Sequence, residues 1–555
     1  MSEAAPVKAS GGWGAFEPLR EPAFRTIWSS SLLSNFGQLI LGVGAAWEMT
    51  RIAHSTSMVA LVQTALMLPS MLVSVPAGAI ADMFDRRKVA LVGLSFACVC
   101  ALINTVLAVM GVVSPWQLLG FCVLIGAGTS LYGPAWQASV REQVKPEHLP
   151  AAVALSSVSY NIARSFGPAL GGVIILIAGA RAAFAANALC YLPLILAFVL
   201  WKRPVTPSRL PPERLDRALV SGARYAIYSP PVRTVMIRAL AAGMMGASIS
   251  ALTPIIARDV LKGGAGVYGL LLGLYGGGAV VGAVLISHVR HHLKPETAAR
   301  LFTVLTGLMI VVIGFSRSLP ITAVAMTIAG VTWMLLAAML NLGVQLSAPR
   351  WVTARALSWY QAGITGGVAI GAWLWGRLAG HYGVGGSMII SGVGMMATVL
   401  LGLFLRMPEP AASEIEPVEL AHEPEVALAL TVRSGPIVVE IDYHVDPDKA
   451  RQFYGVMLDL QRVRQRNGAF DWSLARNIAD PALWTERYHC PTWGDYLRQR
   501  SRFTQSDLTV QAAANAYRTP DVERRVRRML ERPFGSVRWR ADTPDQGEAV
   551  GVYAP

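Results

Sequence analysis

Ionisable side chains are scarce in the long apolar stretches of this 555-residue chain, so each one found there marks a place where chemistry could occur. Glu48 ends the first stretch. An apolar setting would disfavour its charged form and suit it to carry a proton, whereas Arg51, three residues on, could pair with it at helical spacing and keep it charged. Arg164 lies near the middle of a later stretch, where a guanidinium costs about 2.5–3.5 kcal/mol even on a lenient insertion scale. It should face a cavity and there bind an anionic group or control a carboxylate; the competing reading is a buried ion pair or a strut bonded to carbonyls. Asn35, Gln38, Asn161 and Gln361 are weaker polar candidates for the same cavity, because amides also join membrane helices to one another. Trp136 could stack on an aromatic solute. Of the acidic residues before 409, only Glu48 and Asp82 are read as lying in or beside the apolar stretches. The five cysteines form no CxxC pair and there is no GxxxxGK[ST] loop, so no metal ligands, no cofactor, no ATP-driven step and no catalytic residues are expected.

The elements that must hold these residues follow from composition. Hydrophobic residues make up 53% of the chain and charged residues 15%, against about 25% charged in soluble domains. Residues 24–406 are a succession of apolar runs; Val89 to Met110 carries no charge over a length that an α-helix needs to cross the hydrocarbon. Strands lacking alternation cannot satisfy their backbone in lipid, so these runs predict helices. The expectation is an all-α membrane protein of twelve transmembrane helices in two six-helix halves, 24–201 and 234–406, joined by a central cytoplasmic loop, 202–233. The crossings are placed near 26–50, 57–80, 89–111, 115–140, 152–178, 184–201, 234–257, 267–289, 299–316, 320–345, 355–379 and 386–406. With the N-terminus inside, the inner connections hold 17 Lys and Arg and the outer ones five, which predicts both termini in the cytoplasm. The polar segment 1–23 lacks the apolar core of a signal peptide. Two six-helix halves suggest a pseudo-symmetric carrier with its site between them near the midplane.

Two motifs sharpen this. Gly78-Ala-Ile-Ala-Asp82-Met-Phe-Asp85-Arg86-Arg87-Lys88, between the second and third crossings, resembles the signature loop of the major facilitator superfamily, with Asp85 where that pattern has glycine. The resemblance implies that Gly78, Asp82, Arg86, Arg87 and Lys88 form an inward gate. The corresponding stretch of the second half, Gly282 to His292, lacks the acidic residue. Gly167-Pro168-Ala-Leu-Gly171-Gly172 is similar to the core of the motif found in exporting members. With Tyr132 to Gln137 and Asn161 to Arg164, the chain resembles the branch of enterobactin exporters and transmembrane secretion effectors. That implies a proton-driven exporter of small amphipathic molecules such as siderophores, drugs or secondary metabolites, in a bacterial cytoplasmic membrane.

The chain then changes character. An acidic linker, 407–434, carries six Glu and no Lys or Arg between 409 and 425. Residues 435–555 predict a small α+β ferredoxin-like domain in the order β, α, β, β, α, with Val537 to Trp539 as a last strand and the Arg-rich stretch 524–540 as solvated surface. Its order resembles antibiotic-biosynthesis-monooxygenase-like domains, which implies possible homodimerisation. His444, His489, Trp472 and Trp493 are pocket candidates. The competing readings are uptake or facilitated transport, and a membrane-tethered enzyme or ligand sensor acting through the tail; the expected partners are a small solute, protons and the bilayer, not nucleic acid.

Overall fold

The computed structural model describes residues 16–202, 223–408 and 426–531, apart from 54, 146–147, 226, 350–351, 429, 520–521 and 523–524. The N-terminal segment before 16, most of the central loop, the acidic stretch 409–425 and the expected strand at 537–539 lie outside the described residues. Two compact units emerge: one from Met1–Leu219, Thr234–Leu342 and Ser358–Met407, the other from Val220–Arg233, Gly343–Leu357 and Pro408–Pro555.

The first unit is helical. Helices α1 (Pro22–Ile52), α2 (Thr56–Met83), α3 (Arg86–Met110), α4 (Pro115–Ser139) and α5 (Leu149–Leu200) build its first half. Helices α6 (Pro230–Ile255), α7 (Ala265–His292), α8 (Pro295–Phe315), α9 (Leu319–Gln345), α10 (Thr353–Ala397) and the short α11 (Leu401–Phe404) belong to the second half. Among the described residues, nine helical stretches are long and apolar enough to cross a membrane by length and composition. Two of them run 43 and 49 residues. At 1.5 Å per residue either would measure more than about 60 Å if straight, twice the ~30 Å hydrocarbon thickness. Each is broken by a glycine in a conformation that other residues rarely adopt: Gly179 (φ 77°, ψ 175°) and Gly383 (φ 72°, ψ 165°). Expected crossings 152–178 and 184–201 therefore share α5, and 355–379 and 386–406 share α10 with its extension.

The packing inverts that of a soluble helix. On α3, Val92, Phe96, Val99, Ile103 and Val106 are exposed at helical spacing, while Ala90, Gly93, Ala97 and Ala101 are buried. Lipid solvates the bulky face as well as a core would, so small residues mark the side where helices meet.

The second unit contains a four-stranded antiparallel sheet in the order β2-β3-β1-β4. Its elements run β1 (Ile437–His444), α12 (Ala450–Arg466), β2 (Phe470–Arg476), β3 (Leu483–Cys490), α13 (Trp493–Ser501), α14 (Gln505–Asn515) and β4 (Val526–Leu530). Alternate residues of β1, Ile437, Val439, Ile441 and Tyr443, pack with Phe453, Met457 and Leu460 of α12. The fourth strand falls inside the stretch expected to be solvated surface. Arg527 pairs with Glu440 and Asp442 of the neighbouring strand, and Arg528 bonds the Tyr496 hydroxyl at 2.6 Å, so cross-strand partners absorb the basic charge.

Candidate functional site

The α2–α3 connection is built from the helix ends it joins. Asp85 is the N-cap of α3, its carboxylate accepting from the Arg87 and Lys88 amides. Arg86 donates to Glu142 Oε1 at 2.7 Å and to the Ala138 carbonyl, tying α3 to the end of α4. Arg87 donates to the Phe198 and Val199 carbonyls at 2.8 and 2.6 Å and so caps the end of α5. These bonds of the two arginines stay within the first half. Gly78 and Asp82 lie on α2, their side-chain environment outside the described residues, and Lys88 is exposed.

The second half meets the same need with different residues, which the sequence reading passed over. Glu296, in the first turn of α8, accepts from Arg238 of α6 and Arg300 of α8, both at 2.6 Å, and from the Met407 amide at 2.8 Å. Arg238 also reaches the Leu405 carbonyl and Arg300 the Gly402 carbonyl, so the last helix is capped by arginines as α5 is. Glu296 therefore corrects the expectation that only Glu48 and Asp82 lie in or beside the apolar stretches. The signal was visible: an acidic residue in a helix first turn with an arginine at i+4.

The exporter-type motif lies where the halves meet. Gly167 and Gly171 face Leu39 and Val43 of α1, while Gly172 abuts Gly269 of α7 so closely that a Cβ on either would strike the other's Cα. Pro168 is inside the α5 helix. Further cross-half contacts gather at the end of the bundle bearing the α1–α2 and α6–α7 turns. Trp47 stacks on Tyr268 at 6.2 Å, Arg258 donates to the Thr50 carbonyl, and Thr56 and Ser57 donate to the Gly376 carbonyl at 3.3 and 3.2 Å. Deeper in, Thr64 donates to the Ala369 carbonyl at 2.8 Å.

Between that seal and the opposite end, Arg164 of α5 lies in the neighbourhood of Tyr275 of α7 and Tyr360 of α10, both from the other half. The antiparallel run of α5 along α7, with Gly172 on Gly269 and Ala169 on Gly273, carries Arg164 to that level. The Tyr360 hydroxyl donates to the Ala337 carbonyl at 3.1 Å. Among the described residues no carboxylate pairs with Arg164, which distinguishes it from Arg238, Arg86 and Arg51.

The remaining candidates disperse. Glu48 is buried and paired with Arg51 at 2.7 Å. Asn35 donates to Ser159 Oγ at 3.5 Å and Gln38 to Thr129 Oγ1 at 3.0 Å, joining helices of the first half. Asn161 lies on α5 with its side chain outside the described residues, and Gln361 is exposed. Trp136 is buried, stacked on Phe24 at 6.5 Å and edge-on to Phe198, so it serves as packing at the helix ends. In the tail, His444 and His489 lie on the open sheet face at opposite ends, whereas Trp472 bonds Glu486 and Trp493 stacks on Tyr496 on the helix side. These four residues do not line one pocket. Among the described residues no cluster of three His, Cys, Asp or Glu could hold a metal ion.

A bundle of apolar helices in two halves, joined across one end and holding a cation with no carboxylate partner among the described residues, is the architecture of a secondary transporter. The chain belongs to the transmembrane secretion effector family of the major facilitator superfamily, which it matches over residues 13–534. It is a multi-pass membrane transporter of small molecules rather than an enzyme. It is 26% identical over 309 residues to the staphyloferrin A transporter of Staphylococcus aureus, spanning 55% of this chain and 76% of that one. It is 27% identical over 395 residues to the enterobactin exporter of Salmonella choleraesuis, spanning 69% and 91%. The fold is shared with a POT family transporter solved with a thioalcohol-conjugated peptide (TM-score 0.55, 14% identity, 69% of this chain and 96% of that one). It is also shared with a bacterial homologue of the human lysosomal transporter Spinster (TM-score 0.53, 13% identity, 72% and 96%).

Proposed function

We propose that this protein exports small acidic, siderophore-like molecules from the bacterial cytoplasm across the inner membrane, in exchange for protons. Counting α1 and dividing α5 and α10 at Gly179 and Gly383 gives twelve crossings, six per half. The excess of Lys and Arg at the α2–α3, α4–α5 and α8-preceding connections places that end, and both termini, in the cytoplasm. On this orientation the sealed end is the outer one.

The observation that carries the reading is Arg164, unpaired by any described carboxylate and sharing its field with Tyr275 and Tyr360 of the opposite half. A cation kept unpaired at mid-membrane is worth its cost when an anionic solute completes the pair, and tyrosines from the other half let the loaded state draw the halves together. The two siderophore transporters among the relatives support this solute class. Glu48 is the proposed proton site: protonation would release Arg51 and loosen the outer end beside Thr50 and Arg258. Gly78, Asp82, Arg86, Arg87 and Lys88 are the proposed inner gate, in which Arg86 and Arg87 fix α3 to the ends of α4 and α5, so that the first half moves as one body. For the tail we propose a ferredoxin-like domain of accessory role. Its open sheet face bears the ion pairs of Glu440, Asp442, Arg487 and Arg527 rather than an apolar patch, which favours a role within the chain over homodimerisation.

The test is efflux from vesicles holding the reconstituted full chain, with enterobactin and staphyloferrin A as solutes and an imposed pH gradient. Arg164→Ala is expected to raise KM at least tenfold with Arg164→Lys intermediate, and Glu48→Gln to remove the dependence on the gradient. Unchanged KM in both Arg164 variants would refute the anion site, and export indifferent to the gradient would refute proton coupling.

A further inference from the structure

The second compact unit holds more than the tail. It also takes in residues 220–233, from which α6 starts, and 343–357, from which α10 starts. Both connections belong to the second transporter half, and adjacent side chains of the first, Arg224 and Tyr225, meet the tail.

Tyr225 is 3% exposed, and its hydroxyl donates to the Ser347 carbonyl at 3.3 Å, two residues past the end of α9. Its carbonyl accepts the Ser229 amide at 2.9 Å, immediately before α6 begins at Pro230. The guanidinium of Arg466, in the last turn of α12, lies over its ring at 5.9 Å. The residue before it, Arg224, donates to the Gly468 carbonyl at 2.9 Å.

The tail side of this contact is rigid. Helix α12 ends in a glycine with positive φ, Gly468 at 119°, whose amide bonds Gln465 while the next amide bonds Arg464. Arg466 is held from behind by Asp507, which also accepts from Asn467 and from the Thr504 amide that caps α14. The docking surface is therefore a helix terminus braced by a buried carboxylate and presents two features: a cation for an aromatic face and a carbonyl for an arginine. Burying a tyrosine whose hydroxyl and ring are both engaged commits the three segments to one geometry, because a cation over an aromatic face gains most when desolvated.

We propose that the tail is a coupling domain docked on the two connections that open the second transporter half, with Tyr225 as the pin through which its position is transmitted to α6 and α10. This rests on the transporter reading, to which it adds a control point. The enterobactin exporter is 91% covered by an alignment of 395 residues, so a relative of this kind works without a counterpart for every part of this chain, as expected of a regulatory addition.

The deciding measurement is hydrogen exchange of the full chain in nanodiscs, which needs no solute. Arg466→Ala alters the tail, and among the described residues Tyr225 links Arg466 to Ser347. The expected result is exchange at least fivefold faster over 344–349 and 229–234 in Arg466→Ala and in Tyr225→Ala, with α14 protection retained in Tyr225→Ala. Tyr225→Phe, which keeps the ring and loses the Ser347 bond, should speed exchange over 344–349 and leave α14 protection unchanged. Unchanged exchange over both segments in Arg466→Ala and Tyr225→Ala overturns the docking. In the vesicle assay the two alanine variants should lower maximal export at least threefold with KM unchanged; faster exchange with unaltered maximal export overturns the coupling. A wild type that exports neither solute counts against the proposed solute class and leaves the exchange result to decide docking.

Discussion

At the scale of single residues, the departures from the family pattern have local physical explanations. Asp85 occupies a position where the superfamily loop has glycine, and both are tolerated N-caps; the aspartate adds bonds to the Arg87 and Lys88 amides. Asp85→Ala should lower stability by about 1 kcal/mol, while Asp85→Gly should cost only a few tenths. Thermal unfolding in detergent would check the order of the two. Glu296 belongs to the other extreme. It joins Arg238, 7% exposed, to Arg300 and Met407, and truncating it leaves a buried guanidinium without its carboxylate. Breaking a buried pair in this way costs about 3–5 kcal/mol, so Glu296→Ala should reduce folded yield sharply. Replacing Glu296 and Arg238 together by Gln and Met should recover much of it, and fluorescence-detected size exclusion would read the difference.

At the scale of elements, helix contact in lipid is governed by how closely backbones approach. Gly172 on α5 and Gly269 on α7 touch with no room for a side chain, so the two halves meet there backbone to backbone. Gly172→Val should therefore force the halves apart. The expected outcome is loss of export together with faster thiol labelling of Thr50→Cys, a residue 5% exposed beside the seal. Labelling as slow as in the Gly172 parent would show that the seal does not depend on this contact. The helix ends obey a second rule: Arg87 in one half, and Arg238 and Arg300 in the other, terminate the last helix of their half by donating to its final carbonyls. A symmetry absent from the motif letters is thus present in the physics, since a helix end needs its carbonyls satisfied whichever residue supplies the donor.

At the scale of the whole molecule, the chain lives in two solvents. The tail is stabilised as a soluble domain is, and its interior is dry enough for burial to push the Cys490 thiol up to about 12, with Asp495 adding to the effect. Between the ordinary thiol range near 9 and that value the unfolded tail has lost a proton that the folded tail keeps. Stability should therefore fall as pH rises through that window and be flat below it. Cys490→Ala should flatten the slope, read by tail tryptophan fluorescence in denaturant at several pH values. In the intact protein Cys490 should resist alkylation at pH 8 and react on unfolding.

The existence of apolar helices and the opening β, α, β, β, α of the tail could be read from the amino-acid order, because each is a local matter of hydrophobic run length, period and punctuation; helix α14 and the position of β4 at Val526–Leu530 could not. Arg164 is conspicuous in the sequence as a charge in an apolar run, but whether a partner meets it is not legible there. Other features depended on where distant segments come to rest. No spacing rule shows that Trp136 packs between Phe24 and Phe198 or that Arg527 pairs across strands with Glu440 and Asp442, whereas the local Glu48–Arg51 pair was one of the two readings that helical spacing offered. Likewise, only the folded chain brings Tyr225, Ser347 and Arg466 together from positions more than a hundred residues apart. Solvation is additive along a chain and survives in its sequence; pairing is a property of proximity, and proximity between remote segments exists only once the chain has folded.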